Sequence, residues 1–210
     1  MTSLSPQVIS GPALVKGLRP CGPDIFRLEV KAPEAARLAR PGQFVMIRVG
    51  PGPEPLLRRP FSVHDRQGDR LAFLFKVVGR GTTILAQTRP GESLEMLGPL
   101  GRPFPWLTGP ALLVAGGMGL APLLFLARDL AAGGQIKLRL GAATRAGLVC
   151  LDQFRATGLE LSLFTEDGSL GQKGLVIDGL EEELKKRPAA ILACGPQGML
   201  KTVAQTARQL

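Results

Sequence analysis

Ala111-Leu112-Leu113-Val114-Ala115-Gly116-Gly117-Met118-Gly119-Leu120-Ala121-Pro122 carries no charge and stands where the chain changes its pattern. Its first five residues are short and apolar, as expected of a strand buried on both faces in a parallel sheet. Three glycines follow, then Pro122, which suits a first helical position because proline lacks an amide that a helix start leaves unpaired anyway. The stretch therefore reads as strand, glycine turn, helix. The uncharged run continues to Ala127. At seventeen residues it sits at the short limit for crossing a bilayer, and its glycines and proline argue against one continuous span.

Beyond this stretch, apolar strands alternate with helices. Strands are expected at Ile136 to Ala142, Leu159 to Phe164 and Ala189 to Ala193. Helices are expected at Leu120 to Ala132, near Leu148 to Phe154, at Gly179 to Lys186 and at Gln197 to Gln209. Such alternation implies a parallel sheet with right-handed crossovers. Before Phe104 the pattern is short strands punctuated by Gly and Pro: Phe26 to Val30, Gln43 to Val49, Leu71 to Val78 and Ser93 to Leu97. That spacing suggests a closed barrel or a sandwich. The fold expected is β plus α/β, an N-terminal antiparallel β-barrel over residues 1–105 and a Rossmann-like parallel-sheet domain over 106–210. The Pro-rich segment Pro99 to Pro110 is the expected hinge.

The chain has 26 Lys and Arg against 17 Asp and Glu. The basic residues are scattered, and aromatic residues are few with no Tyr. Neither a basic stripe nor a stacking platform for bases is present, so nucleic acid is not the expected partner. An excess of positive charge also suits anionic cofactors. Cys21, Cys150 and Cys194 are far apart in sequence, which argues against a disulfide framework or a local metal knuckle and fits a reducing cytoplasm. The first ten residues lack the basic start and apolar run of a signal peptide. No metal site and no membrane association are expected.

Four short motifs carry chemistry. Arg59-Pro60-Phe61-Ser62 closes a Pro-rich loop and leads into a strand. A guanidinium suits pyrophosphate oxygens, and a neighbouring hydroxyl can hydrogen-bond the reactive edge of an isoalloxazine. The bland reading is a surface charge with Phe61 as core filler. Lys76-Val77-Val78-Gly79-Arg80-Gly81-Thr82 ends a strand in a glycine turn, with Thr82 as a capping hydroxyl and Gly81 permitting close backbone approach. Gly116-Gly117-Met118-Gly119-Leu120 lies where a second dinucleotide's pyrophosphate belongs, between a strand and a helix start, though it is not G-x-G-x-x-G. Cys194-Gly195-Pro196 ends the last strand on the same side of the sheet, where ligands bind beyond the strands' carboxyl ends. Cys194 is either a residue facing that ligand or a buried structural thiol. His64 is the only histidine, so Cys194 has no histidine base beside it and no nucleophilic role is assigned.

With these residues in view, the chain resembles the ferredoxin-reductase superfamily over essentially its whole length, and within it the electron-transfer subunits of bacterial dihydroorotate dehydrogenase. The resemblance is carried by Arg59 to Ser62, Lys76 to Thr82, Leu97-Gly98-Pro99-Leu100-Gly101, Gly116 to Pro122, Glu166-Asp167-Gly168-Ser169-Leu170-Gly171-Gln172-Lys173-Gly174 and Cys194-Gly195-Pro196-Gln197-Gly198-Met199-Leu200, in that order. It implies that Arg59, Pro60, Phe61, Ser62, Leu74, Phe75, Lys76, Gly81 and Thr82 hold FAD. It implies that Gly116, Gly117, Gly119, Leu120, Glu166, Asp167, Cys194, Gly195, Pro196 and Met199 hold NAD(H). Ser62 and Cys194 are the candidate catalytic residues. The implied chemistry is hydride transfer from NADH to the flavin and release of electrons one at a time.

The implied partner is the FMN-containing catalytic subunit of dihydroorotate dehydrogenase, in a cytoplasmic hetero-oligomer serving pyrimidine biosynthesis. In that family a cysteine cluster after the C-G-P segment binds a [2Fe-2S] centre; here no cysteine follows Cys194. The expectation is either a truncated chain or a cluster-free relative. Two other functions stay open: a free-standing NAD(P)H-flavin or ferredoxin-type reductase or subunit of another oxidoreductase, and a non-catalytic partner that has lost its cofactors. NADH is the expected donor, with Arg145 a candidate for pairing a 2′-phosphate if the donor is NADPH.

Overall fold

The computed structural model describes residues 7–50, 56–105, 107, 109–131, 135–186 and 190–209. The chain divides into two compact units, Met1–Phe104 and Pro105–Leu210.

The first unit is a closed antiparallel barrel of six strands: β1 (Ile9–Gly22), β2 (Ile25–Lys31), β3 (Phe44–Arg48), β4 (Arg59–Gln67), β5 (Arg70–Lys76) and β6 (Ser93–Leu100), in the order β1-β2-β5-β4-β3-β6. Closure leaves no strand edge to template aggregation. Leu28, Val30, Val63, Leu71 and Phe73 are buried in its core. Register places Leu28 against Phe73 and Val30 against Leu71, so period-two alternation delivers both strands' apolar residues to one side. Two short helices complete the unit, α1 (Pro33–Leu38) and α2 (Arg80–Leu85).

β1 and α1 are absent from the sequence-based expectation for physical reasons. β1 contains Gly11, Pro12, Gly17 and Pro20, residues that ordinarily end strands, but its pairing with β2 is irregular between Val15 and Gly17 and between Pro20 and Gly22. Such bulges are where a strand tolerates a proline. α1 buries only Ala35 and Ala36, too small to write a helical apolar stripe. The expected hinge is also shortened, since β6 runs through Pro99 to Leu100.

A charged lattice crosses β2, β5 and β4. Arg27, 7% exposed, donates to Glu29 at 3.0 Å and faces Asp65 at 3.7 Å, while Arg70 donates to Glu29 at 2.7 Å. Asp65, 1% exposed, also accepts the Arg66 amide and the Gln67 side-chain amide, each at 3.0 Å. The hydrogen bond from Arg70 holds the Glu29 carboxyl below its ordinary value, against partial burial that pushes it up.

The second unit is a five-stranded parallel sheet in the order β10-β9-β8-β7-β11, built from β7 (Ala111–Gly116), β8 (Ile136–Ala142), β9 (Glu160–Thr165), β10 (Gln172–Lys173) and β11 (Ala190–Cys194). All six residues of β7 are buried, as both-faced burial in a parallel sheet requires. α3 (Leu123–Leu130) and α4 (Leu151–Arg155) pack together, as do α5 (Leu180–Lys186) and α6 (Gln197–Arg208). Leu112, Val114, Phe164, Leu180, Leu184, Met199 and Val203 form the core shared with α5 and α6. The apolar run from Ala111 thus becomes a strand, a 3₁₀ turn over Gly117–Leu120 and a helix beginning at Leu123 rather than Leu120. Among the described residues no helix is long and apolar enough to cross a membrane.

Replacing Arg27 with Met removes the cation beside the buried Asp65 while Arg70 stays on Glu29, and is expected to destabilise the barrel by about 3 kcal/mol in urea titration. Because the folded-state value of Glu29 is depressed, its contribution is present above the ordinary carboxylate value and lost as pH falls through the folded one. Glu29→Gln is therefore expected to flatten the loss of thermal stability as pH falls below the ordinary carboxylate value.

Candidate active site

In the barrel, the structure gathers two of the sequence-derived stretches. Arg59 opens β4, and its Nη1 donates to the Leu57 carbonyl at 2.8 Å. A Cβ added at Gly81, in the first turn of α2, would lie 3.1 Å from Arg59 Nε and 3.3 Å from Val49 Cγ2. Glycine at 81 thus lets the arginine stem lie over the start of the helix, joining residues 22 positions apart. Pro60 and Ser62 point away from the face that buries Phe61 and Val63. Ser62 is half-buried and sits opposite Phe44 on β3.

Other candidates have structural duties. Phe61 meets Phe75 edge-on at 5.7 Å, and Phe75 stacks on Phe26 at 5.8 Å. Both are buried, as is Leu74, which lies opposite Arg27 on β2. Lys76 is exposed at the end of β5. Thr82 is not the helix cap that its position suggests, since Gly79 occupies that place. The Thr82 hydroxyl instead accepts the amides of Val78 at 2.9 Å and Gly79 at 3.2 Å and donates to the Gly79 carbonyl at 2.9 Å.

In the α/β unit, the glycine turn after β7 is pressed onto the carboxyl end of β11. A Cβ at Gly119 would fall 2.0 Å from the Cys194 carbonyl oxygen and 2.7 Å from the Gly195 nitrogen. One at Gly116 would fall 2.7 Å from Met199 Sδ and 3.0 Å from Pro196 Cδ. Gly117 has φ +53°, a left-handed conformation that glycine adopts at little cost. The three glycines therefore have three separate reasons, and together they bring Gly116 to Leu120 against Cys194 to Met199. Gly119 and Leu120 are buried in this packing.

Beside that junction lies a cleft of about 470 Å³, floored by Gly116, Gly141 and Ala142 at the ends of β7 and β8 and bounded by Glu166, the segment Gly174 to Ile177 and the first turns of α6. Gly116, Glu166, Pro196 and Met199 among the sequence-derived candidates line it; Asp167 and Arg145 are not among its lining residues. Asp167 instead accepts the Ser169 amide at 2.9 Å and hydroxyl at 2.6 Å, and the hydroxyl's hydrogen bond is the main reason its carboxyl lies below the usual range. The Arg145 amide donates to the same hydroxyl at 2.8 Å. Burial pushes the Cys194 thiol up, which disfavours the thiolate that a nucleophilic role would need.

Sequence reasoning missed Gly141 and the wall formed by Leu175, Val176 and Ile177. The Gly171 to Gly174 spacing was the available signal. A Cβ at Gly141 would lie 2.5 Å from Val176 Cβ. Glycine there lets the wall rest on the strand.

Residues 113–205 match the family model of the oxidoreductase NAD-binding domain. The chain is 43% identical over 187 residues to the dihydroorotate dehydrogenase B (NAD(+)) electron-transfer subunit of Desulforamulus reducens, covering 86% of this chain and 71% of that protein. This chain belongs to that family of electron-transfer subunits. The dihydroorotate dehydrogenase B subunit of Geobacillus thermodenitrificans is 38% identical, over 85% of this chain and 71% of its own length. Among solved structures, a NADH-dependent reduced ferredoxin-NADP oxidoreductase superposes with a TM-score of 0.81 at 31% identity, covering 93% of this chain and 72% of the other. Phthalate dioxygenase reductase, at 21% identity and a TM-score of 0.74 over 95% of this chain and 64% of its own, shares the fold. Both are consistent with the barrel and parallel sheet of the ferredoxin-reductase superfamily.

Gly119→Ala forces a methyl into the Cys194 carbonyl and is expected to cost at least about 2 kcal/mol in urea titration. Gly198→Ala has open space around its Cβ within α6 and is expected to be neutral or to stabilise by about 0.5 kcal/mol.

Proposed function

We propose that this dihydroorotate dehydrogenase B family member oxidises NADH through FAD and delivers the electrons to a dihydroorotate dehydrogenase catalytic subunit, as part of a cytoplasmic hetero-oligomer. The observation that carries this reading is the cleft at the carboxyl ends of β7 and β8, where the glycine turn meets Cys194-Gly195-Pro196. Open α/β sheets bind their ligands at this end. Its floor includes the backbone of Gly116 and Gly141, whose missing side chains make room for Met199 and Val176 to close the walls, and its volume suits part of a dinucleotide.

The barrel residues fit a resident FAD. Arg59, half-buried and laid against Gly81, offers a forked guanidinium to pyrophosphate oxygens, and Ser62 offers a hydroxyl on the face opposite the Phe61 core. Leu74 and Phe75 are buried, so their part is to fix the strand beneath. When bound, FAD accepts two electrons as a hydride and gives them up singly, which is the conversion a nicotinamide-linked electron-transfer subunit requires. Ser62 would hydrogen-bond the flavin's redox-active edge, and Arg59 would neutralise phosphate charge. In the cleft, Glu166 is an acceptor suited to a ribose diol rather than a 2′-phosphate, which supports NADH as the donor.

The residues present do not fit an iron-sulfur centre. Among the described residues no three Cys, His, Asp or Glu side chains gather into a metal site. Cys21, Cys150 and Cys194 do not have the local spacing of a four-thiolate set. No electron relay is assigned to them.

A second reading, a subunit of another NADH-linked oxidoreductase, is supported by the likeness to the ferredoxin-NADP oxidoreductase. Its test is the acceptor: reduction of orotate on adding the catalytic subunit supports the first reading, and transfer to ferredoxin alone supports the second.

Ser62→Ala is expected to retain FAD while slowing its reduction by NADH about tenfold or more in stopped-flow absorbance. Arg59→Ala is expected to purify with substoichiometric FAD. Unchanged reduction in the first variant removes Ser62 from its role.

A further inference from the structure

The cleft wall at Gly174 to Ile177 belongs to a segment without helix or strand, yet it is anchored by a residue that the sheet core ordinarily excludes. Arg139 stands in the middle of β8 between Leu138 and Leu140, and it is 4% exposed. Its Nε donates to the Val176 carbonyl at 2.9 Å, its Nη2 donates to the Asp178 carbonyl, and its Nη1 pairs with Glu183 of α5 at 2.7 Å. The guanidinium carbon lies 4.4 Å above the Phe164 ring of β9. Every guanidinium nitrogen has a partner.

Burying a guanidinium costs several kcal/mol in desolvation, and an apolar residue of similar volume is often as good or better for stability. What an apolar residue cannot supply is a planar fork that holds two loop carbonyls and a helix carboxylate at once. The loop is also tied to itself: Leu175 donates its amide to the Asp178 carboxylate at 2.7 Å, and Asp178 donates its amide back to the Leu175 carbonyl at 3.0 Å. Two residues along β8, on the same face as Arg139, Gly141 receives Val176. Strand β8 thus grips the wall at two successive same-face positions, with the second forming part of the cleft floor.

We propose that Arg139 is a positioning residue for NADH: it sets the distance of the Leu175 to Ile177 wall from the Gly116–Gly141 floor, and so the affinity of the cleft for the dinucleotide. This rests on the reading of that cleft as the dinucleotide site. Arg139 touches no reacting atom, so its loss raises KM and leaves the chemical step intact. Lysine keeps the charge and reaches Glu183 but cannot hold both carbonyls.

The test uses the full chain with FAD bound and measures steady-state reduction of ferricyanide by NADH, together with melting temperature and flavin content. Arg139→Lys is expected to raise KM for NADH about tenfold with kcat within about twofold and flavin content unchanged. Thr202→Trp, which fills the cleft from α6, is the companion. If Thr202→Trp raises KM and a folded Arg139→Lys does not, the positioning role is overturned while the cleft stands as the dinucleotide site. If Thr202→Trp leaves KM unchanged, the cleft reading falls and the inference with it. Should Arg139→Lys not fold, Glu183→Gln decides: it loosens the Nη1 anchor and the Lys137 pair at 3.2 Å, so Lys137→Met is its control. A rise in KM of about threefold at constant kcat that Lys137→Met does not reproduce supports the role, whereas no rise, or an equal rise in Lys137→Met, overturns it.

Discussion

The close approach of Gly119 to the Cys194 carbonyl is the constraint on which the rest of the α/β unit depends. Two strands far apart in sequence, β7 and β11, end side by side, and the turn leaving one is pressed against the chain leaving the other. Any side chain at 119 would separate them. With that contact made, Met199 and Pro196 come over Gly116, the first turns of α6 form one side of a cleft, and the carboxyl ends of β7 and β8 form its floor. The cleft follows from backbone packing more than from any reactive side chain, as befits a protein whose cofactors carry the chemistry.

Much of this was legible in the sequence because the deciding signals are local. The uncharged strand Ala111 to Ala115 can be buried on both faces only in a parallel sheet, and the glycines after it can only be a turn. Arg59 to Ser62 was readable as a chemically distinctive group, although the contact of Arg59 with Gly81 is a product of barrel closure. What was not legible depends on pairing or on competition between partners. β1 escapes detection because Gly17 and Pro20 sit at irregularities that exist only in its pairing with β2, while Gly11 and Pro12 are carried by its register with β6. Thr82 was assigned to a cap, but an N3 hydroxyl facing two nearby amides captures them first. Asp167 looked like a ligand residue, yet Ser169 two positions on offers it two hydrogen bonds within its own turn.

The two units use buried arginines in a common way. In the barrel, Arg27 joins Glu29 on its own strand to Asp65 on β4, across the intervening β5. In the α/β unit, Arg139 ties a loop and a helix to the sheet. Each occupies a strand position where an apolar side chain would have been simpler to bury; Arg139 has a partner for every guanidinium nitrogen, whereas the Arg27 Nε has none. The Glu183 carboxyl that anchors Arg139 is pushed up by burial but ends below its ordinary value, because hydrogen bonds from Arg139 and Lys137 outweigh that burial.

The most direct test of the account is an anaerobic titration of the purified, flavin-loaded chain with NADH, followed in the flavin's visible absorption band. The account predicts that the band bleaches to completion at one equivalent of NADH per bound FAD, without any partner subunit present. A flavin that stays oxidised under excess NADH, in a chain that is folded and yellow, would contradict it.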